Sequence, residues 1–371
     1  MSVKYTYFTN GVETYSSTFD VNIAPQSSQE YEIDSLELEK DNHNSVVFEY
    51  LAGDFLIASE QIILSEGKLS ADINSDGKTT VKPSENKLYI TFDNGSMIFD
   101  KSTGFITSYI YKNHEMINSF PLGDFKGFAP AFYRAPLDND RNICKYWHTM
   151  GLQNTSNICK GSNFTDNGDN IVITTNIKSI ANCILPVANT QIKYTIYPNG
   201  NILVDVNCLG GGAVKLLPRF GVMLEMPKEY ENIKYFGLGE DVNLPDYKEH
   251  TINKVYQTTV DKLKEDYIKP QESATRCDVR FAEITNASGF GLRFEAVNKP
   301  FIFSASHYTS NQWAKAMHRD DLVDLPTTCV NIDSSVLGAG SNACGPLPDK
   351  KDRVGSLSGK KLSFVVKPIG E

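Results

Sequence analysis

The amino-acid sequence predicts an all-β fold. Apolar and polar residues alternate in segments 192–196 and 202–206, and a period of two is typical of strands that bury one face. Asn199-Gly200 separates these two segments, and Asn-Gly favours the positive φ angles of a tight hairpin turn. Helical periodicity is nearly absent, since only residues 259–267 have a pattern that would allow as much as two helical turns.

The first part of the chain contains too few strands for a complete sandwich. Its segments with strand character are 3–8, 18–23, 31–33, 45–50 and 61–64. An immunoglobulin-like sandwich usually has seven or more strands in about 100 residues. A smaller one would expose its sheet edges and part of its core face, and both promote aggregation. We therefore predict that residues 1–68 form part of an immunoglobulin-like β-sandwich whose other strands lie elsewhere.

A linker and a larger unit follow. Glycine, serine, aspartate, lysine and proline replace the alternating pattern in residues 69–86, which predicts the linker. A second hairpin is predicted around Asn94-Gly95, with strands at 88–92 and 97–99. Further strand-like segments are 172–177, 301–304 and 362–366. Residues 87–371 are predicted to form one large β-sandwich.

Composition and charge exclude several classes of protein. The 371 residues carry a formal net charge of −9, which would repel nucleic-acid phosphates and anionic membrane surfaces. Segment 1–11 has no basic stretch followed by an apolar one, and no apolar run approaches the roughly 18 residues of a membrane helix. The seven cysteines are scattered without a CxxC pair, which favours reduced thiols and no metal site. We expect a soluble cytoplasmic protein that holds no cofactor in this chain.

The most specific motif is Tyr133-Arg134-Ala135-Pro136-Leu137-Asp138-Asn139-Asp140. It resembles the R-A-P-x-D-N-D signature that opens the last domain of long β-galactosidases of the glycoside hydrolase family 2 type. Other motifs similar to that domain follow in family order, at 235–239, 243–246, 265–272, 303–306, 331–333 and 345–346. Residues 20–25 are similar to the latter half of the second immunoglobulin-like domain of these enzymes, so the resemblance covers essentially the whole chain.

The resemblance implies a function without catalytic residues in this chain. In the family the last domain is a large β-sandwich of the galactose-mutarotase-like kind, and two glutamates of a central TIM barrel perform retaining hydrolysis. This chain has no alternating strand–helix pattern and no room for a barrel of about 250 residues. It is therefore expected to be the C-terminal part or small subunit of a retaining β-galactosidase for terminal β-D-galactosides such as lactose. Its expected partner is the barrel-containing large part, within an oligomer.

One loop is expected to reach the substrate. In the family a loop after the segment matching 331–333 presents an aromatic residue, often Trp, to the sugar. The matching residue here is Cys344, and Asn342 lies in the same loop. A thiol offers far less apolar and stacking surface than an indole. The alternative interpretation of Cys344 is a buried thiol in a turn.

The other signature residues are expected to have structural roles. Asp and Asn in a loop after proline usually accept hydrogen bonds from backbone N–H groups, and Arg can pair with one of the carboxylates. This interpretation covers the first motif and a proline-bounded loop further on. The residues concerned are Arg134, Asp138, Asn139, Asp140, Tyr267, Gln271 and Glu272.

Two other functions stay open. A stand-alone carbohydrate-binding β-sandwich would need an exposed aromatic side chain such as Trp313, although packing in a core is the more common role of Trp313 and Trp147. An aldose epimerase would need a histidine beside Glu272 as acid and base. The candidate histidines are His148, His307 and His318, and no spacing in the sequence places one of them there.

Overall fold

The computed structural model describes residues 1–69, 71, 73, 76–117, 127–341 and 344–370, and the prediction of an all-β fold is confirmed. The strands up to residue 131 are β1 (Ser2–Thr9), β2 (Val12–Asp20), β3 (Asn44–Ala52), β4 (Phe55–Ser65), β5 (Thr80–Pro83), β6 (Lys87–Phe92), β7 (Gly95–Asp100), β8 (Phe105–Tyr111), β9 (His114–Glu115) and β10 (Ala129–Ala131). The later strands are β11 (Thr155–Asp166), β12 (Ile171–Ala181), β13 (Leu185–Ile196), β14 (Ile202–Gly211), β15 (Arg219–Pro227), β16 (Asn232–Gly239), β17 (Ile252–Thr259), β18 (Arg276–Val279), β19 (Phe281–Thr285), β20 (Gly291–Ala296), β21 (Phe301–Ser306), β22 (Thr327–Val336) and β23 (Lys361–Ile369).

Helices are short. The α-helices are α1 (Ile143–Met150), α2 (Val260–Leu263) and α3 (Ser310–Lys315). Single turns of 3₁₀ helix cover Asp138–Asp140, Leu152–Asn154, Arg319–Asp321 and Lys350–Asp352. In the part of the chain that the structure describes, no helix is long and apolar enough to cross a bilayer.

The described strands form four sheets whose neighbouring strands run antiparallel. A four-stranded sheet has the order β2-β1-β3-β4, and a five-stranded sheet has the order β5-β6-β7-β8-β9. A nine-stranded sheet has the order β11-β12-β13-β14-β23-β20-β19-β16-β17, and a second five-stranded sheet has the order β10-β15-β22-β21-β18. The nine-stranded sheet therefore joins strands from the two ends of the region 155–369, which brings distant motifs together.

One continuous hydrophobic core joins the last three sheets. Residues of β12 alternate strictly between buried and half-buried, which is the period of two that the pleat imposes. The rings of Phe99 in β7 and Tyr194 in β13 meet with centroids 6.2 Å apart, so the smaller sheet packs on the larger one. The Tyr109 hydroxyl donates to the Gly200 carbonyl at 2.7 Å and fixes the turn of the β13–β14 hairpin.

Both hairpins predicted from Asn-Gly are confirmed. Residue Ile196 of β13 pairs with Ile202 of β14, and Gly200 has a φ of +86° in the turn between them. In the other hairpin, Asn94 adopts the left-handed region at φ +61° and Gly95 is already the first residue of β7. Short polar side chains and glycine tolerate these angles, which explains why the sequence signal is reliable here.

Two expectations about elements were wrong. Residues 31–33 form no strand, because the segment lies across the first sheet and Asp34 accepts hydrogen bonds from the Tyr5 and Tyr15 hydroxyls. Helix α1 was missed, although Ile143 and Trp147 are spaced for one helical face and both are buried. Eight residues give too few turns for a clear helical period.

The division into 1–68, 69–86 and 87–371 stays a prediction. The first sheet ends with β4 at Ser65, and the second begins with β5, whose four residues fall within the predicted linker. Strand β5 pairs with β6 from Thr80↔Thr91 to Pro83↔Leu88, so this segment is part of the second sheet.

The first sheet is attached to the large sandwich by polar contacts around a buried histidine. The Gln61 side chain pairs with the backbone of Asn253, donating to its carbonyl at 2.9 Å and accepting from its N–H at 2.7 Å. His43 is buried and packs edge-on against Phe236, with ring centroids 5.2 Å apart. Burial, together with the positive charge of Arg280, lowers the pKa of His43 to about 4.

We predict that His43 makes the protein less stable in mild acid. In the unfolded chain His43 has a pKa near 6.5 and becomes protonated as the pH falls below 7, whereas in the folded protein it stays neutral down to about pH 4. Lowering the pH therefore favours the unfolded state. The free energy of unfolding should drop by about 1 kcal/mol between pH 7 and pH 5.5 on this account. Urea unfolding of the wild type and of His43→Gln at both pH values measures the difference, and an equal drop in both proteins would contradict the prediction.

Candidate functional site

Motifs that are far apart in sequence meet in loops at one end of the large sandwich. We call this surface the loop face, and it consists of residues 138–141, 246–247, 267–271, 338–341 and Cys344. Each of its segments is tied to another by a hydrogen bond or electrostatic contact described below. The loop face contains most of the residues singled out from the sequence.

A buried ion pair underlies the loop face. Arg134 Nη1 lies 2.6 Å from Asp140 Oδ2, and both side chains are almost completely buried. The same Asp140 oxygen accepts the N–H of Leu137 at 2.8 Å, so it closes the turn between them. The guanidinium also lies over the ring of Trp147, 5.6 Å from its centroid. A pair this deeply buried is stable only because hydrogen bonds and a ring surround both charges.

The ion pair reaches across to the loop that carries Cys344. We call it the Cys344 loop, and its described residues are 337–341 and 344–346. Arg134 Nη2 donates to the carbonyl of Leu337 at 3.3 Å. Asn139, in the 3₁₀ turn, donates from its amide to the carbonyl of Gly340 at 2.6 Å. The first signature motif therefore holds both ends of residues 337–340.

Asp246 binds the same loop from the opposite side. Its two carboxylate oxygens accept the N–H groups of Ala339 at 2.7 Å and Gly340 at 2.8 Å. Two backbone hydrogen bonds between Leu244 and Tyr247 close the turn that positions it. A Cβ atom at Gly338 would lie 2.4 Å from an Asp246 oxygen, so only glycine fits there. Asp246 lies in a motif quoted from the sequence, but no pattern indicated its partner.

Cys344 lies at the tip of this loop and is exposed. Its N–H donates to the Ser341 carbonyl at 3.0 Å, and the Ser341 N–H donates to the Pro346 carbonyl at 3.2 Å. These bonds connect Ser341 with Cys344 and with Pro346. The thiol is therefore accessible and not the buried turn thiol that was the alternative. Asn342 lies outside the described residues.

The loop that contains Pro270 joins the loop face through the side-chain amide oxygen of Gln271. Gln271 Oε1 accepts the N–H of Asp138 at 2.8 Å. Glu272 accepts the N–H of Ala274 and the hydroxyl of Thr275 at 3.3 and 3.2 Å. The side chain of Gln271 thus accepts a backbone N–H of the first signature motif, and the side chain of Glu272 accepts hydrogen bonds within its own loop. These contacts agree with the structural roles expected for both residues.

The loop face also carries exposed apolar side chains. Tyr247, Tyr267 and Ile268 are among the exposed large hydrophobic residues of the protein. Partial burial raises the pKa of Tyr267, and the charges of Glu265, Tyr247 and Asp138 add to the rise. Apolar groups clustered at one end of a sandwich are typical of a surface that contacts another protein.

A second buried ion pair lies directly before the loop. Arg219 in β15 and Asp333 in β22 are both fully buried, with Nε and Oδ2 3.0 Å apart. Arg219 also donates to Asn331 Oδ1 at 2.9 Å. Burial raises the pKa of Asp333 to about 7, Arg219 opposes the rise and Glu272 adds to it. Sequence reasoning missed Arg219, because no spacing in the chain connects it with a partner 114 residues away.

In the described residues, the candidates named for the two other functions are not brought together. Trp147 and Trp313 are buried, which confirms their interpretation as packed residues. His307 is buried against the Thr327 carbonyl and the Thr328 hydroxyl. His148 contacts the Tyr133 hydroxyl.

His318 contacts Asp320. Glu272 has its described contacts in its own loop, so none of the three histidines is paired with it in the described residues. No group of three or more potential metal ligands occurs there either.

Comparison with known proteins gives a consistent result. Residues 91–366 match the family model described as Beta galactosidase small chain. A β-galactosidase of Actinobacillus pleuropneumoniae is 28% identical over 360 residues, which are 93% of this chain and 34% of that protein. A β-galactosidase of Halalkalibacterium halodurans is 25% identical over 356 residues, which are 92% of this chain and 34% of that protein. The chain spans about a third of the length of these relatives.

Solved structures give a weaker likeness. A galactose 1-epimerase from Lactobacillus acidophilus is 8% identical, with a TM-score of 0.46 over 79% of this chain and 99% of that one. A TM-score below 0.5 is too low to support an inference about activity.

We predict that the Arg134–Asp140 pair is essential for stability. Arg134→Met leaves the Asp140 carboxylate buried without its counter-charge, so the free energy of unfolding should fall by about 3–5 kcal/mol. The matched control is Lys193→Met, because the Lys193–Asp205 pair is exposed with its charges 3.9 Å apart, and the loss should stay below about 1 kcal/mol. Urea unfolding measures both, and similar losses in the two variants would contradict the prediction.

Proposed function

The chain belongs to the β-galactosidase small chain family, and we propose that it is the non-catalytic part of a retaining β-galactosidase that hydrolyses terminal β-D-galactosides such as lactose. It completes one wall of the active site and provides a surface for assembly. The observation that carries the proposal is the Cys344 loop, which is exposed at its tip and held from two sides by Asn139 and Asp246.

Three carboxylates in or next to the loop face already have structural partners. Retaining hydrolysis needs two carboxyl groups about 5 Å apart that flank the sugar and are free to act as acid/base and nucleophile. Asp140 is buried and paired with Arg134, and Asp246 accepts two backbone N–H groups. Glu272 accepts hydrogen bonds from its own loop. These contacts support a chain whose catalytic carboxylates come from a barrel-containing polypeptide.

A fixed loop suits the role of an active-site wall. Loops that line a substrate site contribute most when surrounding hydrogen bonds hold them in one geometry. We propose that Cys344, and Asn342 beside it, line the galactoside site in the assembled enzyme. The exposed Tyr247, Tyr267 and Ile268 would pack against the rim of the barrel. A thiol instead of an aromatic ring would leave the sugar with less stacking surface.

The wider setting is also a proposal. The order of the signature motifs supports an enzyme of the glycoside hydrolase family 2 type, in which large and small parts assemble into an oligomer. All seven cysteines are free thiols, which supports a reducing compartment such as the cytoplasm. The net charge of −9 supports a neutral sugar and protein partners over nucleic acid or membrane.

We predict that hydrolysis requires both parts. The chain alone should not hydrolyse nitrophenyl β-galactoside, because it lacks the catalytic carboxylates. Mixing it with the barrel-containing β-galactosidase polypeptide of the same organism should produce a complex and raise the rate of hydrolysis above that of either part. Size-exclusion chromatography and initial rates measure the two effects. A mixture that neither associates nor gains activity would overturn the proposed function.

A variant of Asp246 distinguishes the active-site role from simple assembly. Asp246→Ala removes the two hydrogen bonds to the Cys344 loop but leaves the exposed side chains of Tyr247, Tyr267 and Ile268 in place. Complex formation should be unchanged, and KM should rise about fivefold, corresponding to a loss of about 1 kcal/mol of sugar binding. Unchanged KM in a fully assembled complex would show that the loop does not contact the substrate.

A further inference from the structure

Strand β4 has one unpaired edge. In the described residues β4 pairs with β3 on one side and is the last strand of its sheet on the other. Its outer backbone N–H and C=O groups are therefore available to another extended chain. Natural proteins usually protect such an edge with charged residues, proline or a covering segment.

The side chains of this edge are unusually apolar. Six of the eleven residues of β4 are large hydrophobic residues between 39% and 71% exposed, namely Phe55, Leu56, Ile57, Ile62, Ile63 and Leu64. The opposite edge of the sheet, β2, has the sequence VETYSSTFD, and only Val12 there is an exposed large hydrophobic residue. Glu60 is the one charged residue in β4. The two edges of one sheet thus differ sharply, and β4 is the edge suited to a protein contact.

The covering layer of the sheet stops before β4. Tyr5, Tyr7 and Val46 form a small buried cluster, covered by side chains of the segment that contains Asp34. Ile62 pairs with Val46 across the strands, so both project from the same face of the sheet. Nevertheless Ile62 is exposed, which means that the second layer is missing over β4.

We propose that β4 is the edge to which a strand of the barrel-containing polypeptide adds, and that polypeptide adjoining this strand covers the exposed apolar face of β4. The proposal rests on the proposed function and names the surface through which the two parts bind. The chain spans about a third of the length of its relatives, which leaves ample polypeptide to supply the strand. Backbone hydrogen bonds to the added strand would give affinity, and the polypeptide adjoining that strand would bury exposed apolar residues of β4.

A second copy of this chain fits the edge less well. Glu60 is the central residue of the eleven-residue strand Phe55–Ser65. Two copies of β4 that paired antiparallel over their full length would place the two Glu60 side chains directly opposite each other. Like charges in that position destabilise a strand pair.

Hydrogen–deuterium exchange tests the proposal directly. The chain is measured alone and with the barrel-containing β-galactosidase polypeptide of the same organism. The outer amides of β4 should exchange at least about tenfold more slowly in the complex, while those of β2 should not change. Association without protection of β4 would overturn this proposal and leave the proposed function intact, whereas no association would count against both. Concentration-dependent protection of β4 in the chain alone would identify a second copy as the occupant and also overturn it.

Matched variants test the same edge by affinity. Ile57→Lys/Ile62→Lys places two charges on exposed β4 residues, so the fold of the chain should be retained. The dissociation constant for the barrel-containing polypeptide should rise at least about 100-fold. The control, Val12→Lys/Ile184→Lys, makes the same charge change at exposed residues away from β4 and should bind like the wild type. Equal affinity of both double variants, with unchanged circular dichroism, would rule out β4 as the binding edge.

Discussion

The Arg134–Asp140 ion pair has to form out of contact with water, and the geometry of the loop face depends on it. Removing two charges from water is costly, and their attraction compensates only when hydrogen bonds satisfy the remaining donors and acceptors. Here the Ala135 carbonyl, the Leu137 N–H and the Leu337 carbonyl provide three of those bonds, while Arg134 Nε has no hydrogen-bond partner among the described residues. The pair therefore joins the signature turn to the start of the Cys344 loop. A neutral substitute could fill the space, but it could not hold both segments at once.

This constraint gives two acidic residues of the loop face structural partners. Asp140 is committed to Arg134, and Asp246 to two N–H groups of the Cys344 loop. These carboxylates hold the loop that carries the exposed Cys344, which we propose as the surface for a partner and a substrate. The first sheet also presents an uncovered surface, because β4 is an edge strand with exposed apolar side chains. In the function proposed above, both surfaces would be completed by the large part of a β-galactosidase.

Local patterns predicted the fold well, and non-local contacts explain where prediction stopped. Asn199-Gly200 indicated a hairpin because turn angles depend on two adjacent residues. The pairing of Arg134 with a nearby aspartate was expected, because they are six residues apart. Arg219 and Asp333 could not be paired from the sequence, since only the order of strands in the sheet makes them neighbours. The hydrogen bonds of Asp246 to residues 339 and 340 were missed for the same reason.

The central claim is that Cys344 lines the galactoside site of the assembled enzyme, and an affinity label tests it most directly. N-bromoacetyl-β-D-galactosylamine alkylates a thiol near bound sugar, and peptide mass spectrometry compares Cys344 with Cys183, which is also exposed. With the barrel-containing polypeptide present, Cys344 should react much faster than Cys183, and excess galactose should suppress that reaction. If the two thiols react at similar rates, with or without the partner and regardless of galactose, Cys344 is not at the substrate site.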